Sequence, residues 1–182
     1  MKIKNQSRLV RGLLLICASV QVLYFVLAWT GLTPHLGTWH MQVSVRGMGW
    51  EESQQLSAAQ WSAGIALGLP ALLCILFGLM KLNRLLQALQ LPDAQKNMFS
   101  LGNIACLHSF AGALALSTLF GIVEVPLRHL VFTLLPDVYA HRLSVSVNAE
   151  ELMLLLVCLV FYLVTGMLHE GRRLAEENEG FI

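Results

Sequence analysis

Charge is scarce in this chain. Asp, Glu, Lys and Arg make up 13% of its 182 residues, about half the share of an ordinary soluble domain. Apolar residues reach 56% and the mean hydropathy is +0.65, so polar surface is too small to cover a water-soluble core. The net charge of +1 excludes the basic face that nucleic acid requires. Cysteine is also sparse. Cys17, Cys74, Cys106 and Cys158 each fall in a different apolar run, which fits no zinc or redox motif and no disulfide framework. Thiols at such positions pack as small hydrophobes. A secretory cleavage site is missing too: basic residues precede the first apolar run, but no small-residue site follows near residues 30–35, so this run is expected to stay as a membrane span.

What the chain does have is four apolar runs, at about 13–29, 62–80, 104–123 and 152–168, none containing Asp, Glu, Lys or Arg. Each has the length needed to cross a hydrocarbon core of about 30 Å, and helices are the form that satisfies the backbone in lipid. The expected fold is an all-α membrane protein, a single domain over residues 1–182 built as a four-transmembrane-helix bundle in a lipid bilayer. Basic residues set its direction. With the N-terminus inside, the inner segments hold Lys2, Lys4, Arg8, Arg11, Lys81, Arg84, Lys96, Arg172 and Arg173, and the outer loops hold Arg46, Arg128 and Arg142. Nine against three predicts a bacterial inner-membrane protein with both termini in the cytoplasm. The outer loops are then 30–61 and 124–151, the inner loop 81–103, and the cytoplasmic tail 169–182.

Within the outer loops, residues 41–46 and 142–148 alternate apolar and polar and are rich in Val, a strand signal. Pairing between them would make a small β-ribbon cap; two irregular loops are the alternative. Residues 85–91 read as a helical extension of the second span, ended by Leu91-Pro92-Asp93, and 170–179 as a charged helical continuation of the fourth.

Several residues could carry chemistry, and each has a plainer reading. Ser100 is an N-cap candidate for the third helix. Arg172 and Arg173 pair at i,i+4 with Glu176 and Glu177, either as a solvated helix end or as a docking element in which Asn178, Phe181 and Ile182 lock against Leu85, Leu89 or Phe99. His108 and His169, on facing helices, are the only haem-ligand candidates; His35, His40, His129 and His141 lie in the outer loops, where zinc or copper would bind. Glu124 and Arg128 are spaced to pair at the outer end of the third helix, with Pro126 breaking or kinking it. Gly64-x-x-x-Gly68 and Ala111-Gly112-Ala113 permit close helix packing. No cofactor is expected, and no catalytic or metal residue is assigned.

Phe99-Ser-Leu-Gly-Asn103 and the terminal stretch from His169 to Ile182 resemble the bacterial membrane family called domain of unknown function 2975. Phe99, Ser100 and Asn103 match its Phe-Ser/Thr-x-x-Asn entry to the third helix. Glu176, Glu177, Asn178, Phe181 and Ile182 match its acidic Glu-Asn tail. Two positions depart: Gly102 stands where Glu is usual, and Ala105-Cys-Leu-His108 where basic residues follow. The resemblance implies the four-span layout and, because members are often encoded beside small helix-turn-helix repressors, a partner in gene regulation. The expected function is therefore non-enzymatic: a regulatory or sensory protein acting through protein contacts, with a cytoplasmic helix-turn-helix regulator as partner, no direct nucleic-acid contact, and self-association left open. A small transporter or channel component is the alternative, and a haem-binding electron carrier a third.

Overall fold

The computed structural model describes residues 2–30, 35–36, 39–40, 45, 48, 55–88, 100–134 and 149–179. Its order is α1 (Lys2–Thr30), β1 (His35–Leu36), β2 (Trp39–His40), α2 (Ala58–Ala88), α3 (Leu101–Leu134) and α4 (Ala149–Glu179). This is an all-α bundle whose four helices are each long and apolar enough to cross a membrane, the build of a multi-pass membrane protein. At 1.5 Å per residue they are roughly 43 to 51 Å long, more than a hydrocarbon core needs, so their ends project beyond it.

At those projecting ends the helical extension expected over 85–91 is present as far as Ala88 and the charged continuation expected over 170–179 as far as Glu179, whereas α3 runs further than its apolar run predicts. α1 begins at Lys2, ahead of its apolar run, and α2 continues to Ala88. α3 runs eleven residues past Val123 and carries Glu124, Pro126, Arg128 and His129 inside it. Pro126 does not break the helix. The ion pair at i,i+4 lets α3 carry charge beyond the apolar run without leaving helical geometry. α4 continues through the charged stretch to Glu179.

The strands at β1 and β2 form a two-residue antiparallel ribbon within the first connection, His35 opposite His40 and Leu36 opposite Trp39. The ribbon expected between 41–46 and 142–148 lies outside the described residues, except for Val45, which is in no strand.

Helix contacts follow chain order. The α2–α3 interface is the most extensive, α3–α4 comes next, and α1 rests on α2. All neighbours are antiparallel: Gly64 and Gly68 of α2 meet Trp29 and Phe25 of α1, and Ser117 of α3 donates to the Ala71 carbonyl of α2 at 2.8 Å. That bond lies one residue beyond Pro70, where α2 has no backbone donor of its own. The bundle therefore has two ends. One gathers the C-termini of α1 and α3 and the N-termini of α2 and α4, and is called here the Trp29 end. The other is the Ser100 end.

Candidate functional site

At the Trp29 end the chain builds its one buried apolar cluster among the described residues: Ala28, Trp29, Val45, Met48 and Phe132. The Trp29 ring meets Trp61 edge-on at 5.9 Å between centroids and lies against Gly64, where a Cβ would land on the indole. Glycine is required at 64 by that approach. Val45 and Met48, joined by a turn bond of 3.1 Å, bring the first connection down into the cluster. α2 opens here with a reciprocal capping box: the Ser57 N–H donates to Gln60 Oε1 at 3.0 Å, and the Gln60 N–H to Ser57 Oγ at 3.3 Å. Two otherwise unmet helix donors are satisfied together.

Polar groups are buried in this cap. Arg128 is 0% exposed and donates from Nη1 to Glu124 Oε1 at 2.6 Å, the Glu124 side chain being 13% exposed. His129 and Glu151 are buried at 7% and 4%. An isolated charge could not sit here; a paired one held by a charge-assisted bond can. Just below, a cavity of about 200 Å³ between α1, α2 and α3 is lined by Glu124, Gln21, Tyr24 and Ser117 among apolar neighbours.

The Ser100 end holds the residues singled out from sequence. Ser100 caps α3: its Oγ accepts the Asn103 N–H at 3.4 Å, and its carbonyl accepts the N–H groups of Asn103 and Ile104 at 3.0 and 3.1 Å. Asn103 is buried in the first turn. Glu176, Glu177 and Asn178 lie exposed on the last turns of α4, with Arg172–Glu176 at 2.6 Å, Arg173–Glu170 at 2.9 Å and Arg173–Glu177 at 3.3 Å. His169 faces the start of α3, so Glu176 stands roughly 10 Å further along the axis. The tail thus projects past Ser100 and Asn103 rather than packing beside them. Phe99, Leu89, Phe181 and Ile182, which would close the expected docking contact, lie outside the described residues.

His108 and His169 do come together. Both line a groove of about 410 Å³ between α3 and α4, with Ser109, Tyr162, Thr165 and Gly166. The His108 ring meets Tyr162 edge-on at 4.7 Å between centroids. Tyr162 fits there because its hydroxyl occupies the notch over Gly112, where a Cβ would stand 2.7 Å from the oxygen. The four cysteines are unpaired thiols on separate helices. Among the described residues no group of three or more His, Cys, Asp or Glu is arranged to hold a metal ion.

Sequence reasoning missed three features. The Ser57-Ala-Ala-Gln60 box was readable as S-x-x-Q ahead of an apolar run. Gly112 followed by Tyr162 was not readable, since nothing local pairs a notch on one helix with a phenol on another. Glu124–Arg128 was read as a pair but placed as an end cap, whereas it lies buried inside α3. Compared with family models, curated proteins and solved structures, the chain matches none.

Proposed function

We propose that this is a non-enzymatic inner-membrane protein, both termini cytoplasmic, that relays an envelope-side condition to a cytoplasmic partner through protein contacts. The observation that carries this reading is the continuity of α4. One helix from Ala149 to Glu179 has Glu151 buried in the Trp29 end and an exposed, ion-paired tail at the other. A rigid helix passes a displacement at one end to the other, as in a packed two-state bundle. The nine-to-three split of basic residues supports the direction. The family-like residues Phe99, Ser100 and Asn103, with Glu176, Glu177, Asn178, Phe181 and Ile182, are the proposed contact motifs, and the partner that resemblance implies is a helix-turn-helix regulator.

Two experiments test this. Fusions should give a fluorescent green protein after residue 182 and active alkaline phosphatase within 41–47; the reverse pattern removes the orientation. In a bacterial two-hybrid assay against small helix-turn-helix regulators, removal of residues 174–182 should abolish the interaction of the full-length protein. Contacts unchanged by that truncation would remove the tail as output.

A second reading, a small transporter, draws on the Glu124-lined cavity between α1, α2 and α3. It requires solute flux in proteoliposomes that Glu124→Gln abolishes.

A further inference from the structure

His108 is an anomaly in an apolar span. It lies seven residues into α3, roughly 10 Å from Leu101 along the axis, and its side chain is exposed in the groove rather than enclosed in the bundle. An imidazole at membrane depth normally faces the bundle interior or a partner, because hydrocarbon gives it no hydrogen bond. Its neighbour in the structure is the edge of Tyr162, a ring contact that leaves the hydrogen-bonding demand of the nitrogens to be met from the groove.

The groove supplies the rest of a recognition site. His108 and Ser109 stand on the α3 side, Tyr162 and His169 on the α4 side, and Gly166 leaves the floor open: a Cβ there would meet nothing within 4 Å. Its volume of about 410 Å³ lies in the range of ligand pockets, about 300–1,000 Å³. The chemistry of the lining narrows the ligand. Among the described residues no Lys or Arg lines it, which argues against a phosphate headgroup, and no Asp or Glu, which argues against a cation. The imidazoles of His108 and His169 on opposite walls, with the Ser109 hydroxyl, suit a neutral ring with an acceptor oxygen at each end. Apolar surface over most of the remaining wall suits a hydrocarbon tail leaving between α3 and α4.

We propose that this groove binds a membrane quinone, its two carbonyl oxygens accepting hydrogen bonds from the α3 and α4 walls. The site goes beyond the contact reading above and does not depend on it, since binding is read on the purified full-length protein without any partner.

The test uses the protein in nanodiscs with decylubiquinone as titrant and an azidoquinone for photolabelling. Labelling should map to 101–109 and 162–169, and decylubiquinone should compete it away. Gly166→Leu, whose Cβ meets nothing within 4 Å and whose side chain projects from the open floor, should weaken binding at least about tenfold, as should His108→Leu. Gly171→Leu, outside the groove and equally unhindered, should bind as the native protein does and controls for folding. Labelling elsewhere on the chain, or labelling that Gly166→Leu leaves intact, overturns the proposal. So does a Soret band at bis-imidazole positions on haemin titration that Gly166→Leu removes together with quinone binding, because the groove would then be a haem site.

Discussion

At the Trp29 end, residues of a connecting loop and three helix termini close into a small core, and a guanidinium is fully buried. At the Ser100 end, among the described residues, the same helices border an open groove and finish in a solvated tail. Composition does not distinguish the two, since both ends join apolar spans to charged flanks. What differs is cover. Val45 and Met48 fold down onto Trp29 and Phe132, and the Arg128 charge is buried and met by Glu124 inside the protein. The tail residues Arg173, Glu176 and Glu177 are exposed and, with the partly exposed Arg172, pair along one helix. The same i,i+4 chemistry is structural at one end and nearly neutral at the other.

The sharpest way to break that contrast is to unpair the buried charge. Arg128→Ala removes the buried guanidinium that Glu124 pairs with and should destabilise the fold by about 3–5 kcal/mol, read as a large drop in the thermal unfolding midpoint in detergent. Glu124→Leu with Arg128→Leu should recover most of that loss, because an apolar pair of similar volume replaces the ions. A double variant as unstable as the single one would mean that the pair is held for its contacts with other groups rather than for its charge.

Next in size is Gly64→Ala. Its methyl must displace the Trp29 ring, which is buried and braced by Phe25 and Trp61. Overpacking of this kind costs about 1–3 kcal/mol. Gly102→Ala at the other end meets nothing within 4 Å and should be neutral or slightly stabilising by helix propensity. Unfolding midpoints of the two variants, compared side by side, sharpen the contrast between a tight end and a loose one.

The two serine caps give a smaller and more exacting comparison. Ser57 bonds reciprocally with a buried Gln60, whereas Ser100 Oγ reaches the Asn103 N–H at 3.4 Å alongside a backbone bond from Ser100's own carbonyl. Ser57→Ala should cost about 1 kcal/mol and Ser100→Ala about 0.5 kcal/mol. Equal losses would show that the caps, unlike the cores above them, do not differ between ends.

Much of this was legible in the sequence, and the physical reason is simple. An uncharged run of about 20 residues has one sensible form in lipid, so the four helices could be read directly. The extensions of α2 and α4 were legible as well, but the end of α3 was not. Reading hydropathy stops α3 at Val123 because Glu124 is charged, but helix continuation depends on backbone bonding. A carboxylate with an arginine four residues on remains compatible with that. The Ser100 cap was legible because capping is local. The groove was half legible: His108 and His169 were noticed as lying on facing helices, but the Gly112 notch that admits Tyr162 beside His108 depends on helix rotation and register, which no local pattern encodes. The burial of Arg128 was hidden for the same reason, since it depends on which face of α3 is turned inward.

The smallest stability effect is the most informative about function. The tail's ion pairs are largely exposed, with Arg173, Glu170 and Glu177 each more than half accessible, and pairs of this kind contribute about 0.3–0.5 kcal/mol each. Glu176→Gln with Glu177→Gln should therefore leave the unfolding midpoint within error, and raised salt should leave it unchanged as well, since screening has little to remove. The same double variant should weaken binding of the proposed helix-turn-helix partner in the two-hybrid assay, because an exposed acidic face that does not hold the fold together remains free to recognise a basic surface. A change in stability as large as that of Gly64→Ala would instead mean that the tail is packed into the bundle. The Ser100 end would then be a second closed core, and the asymmetry on which the relay rests would disappear.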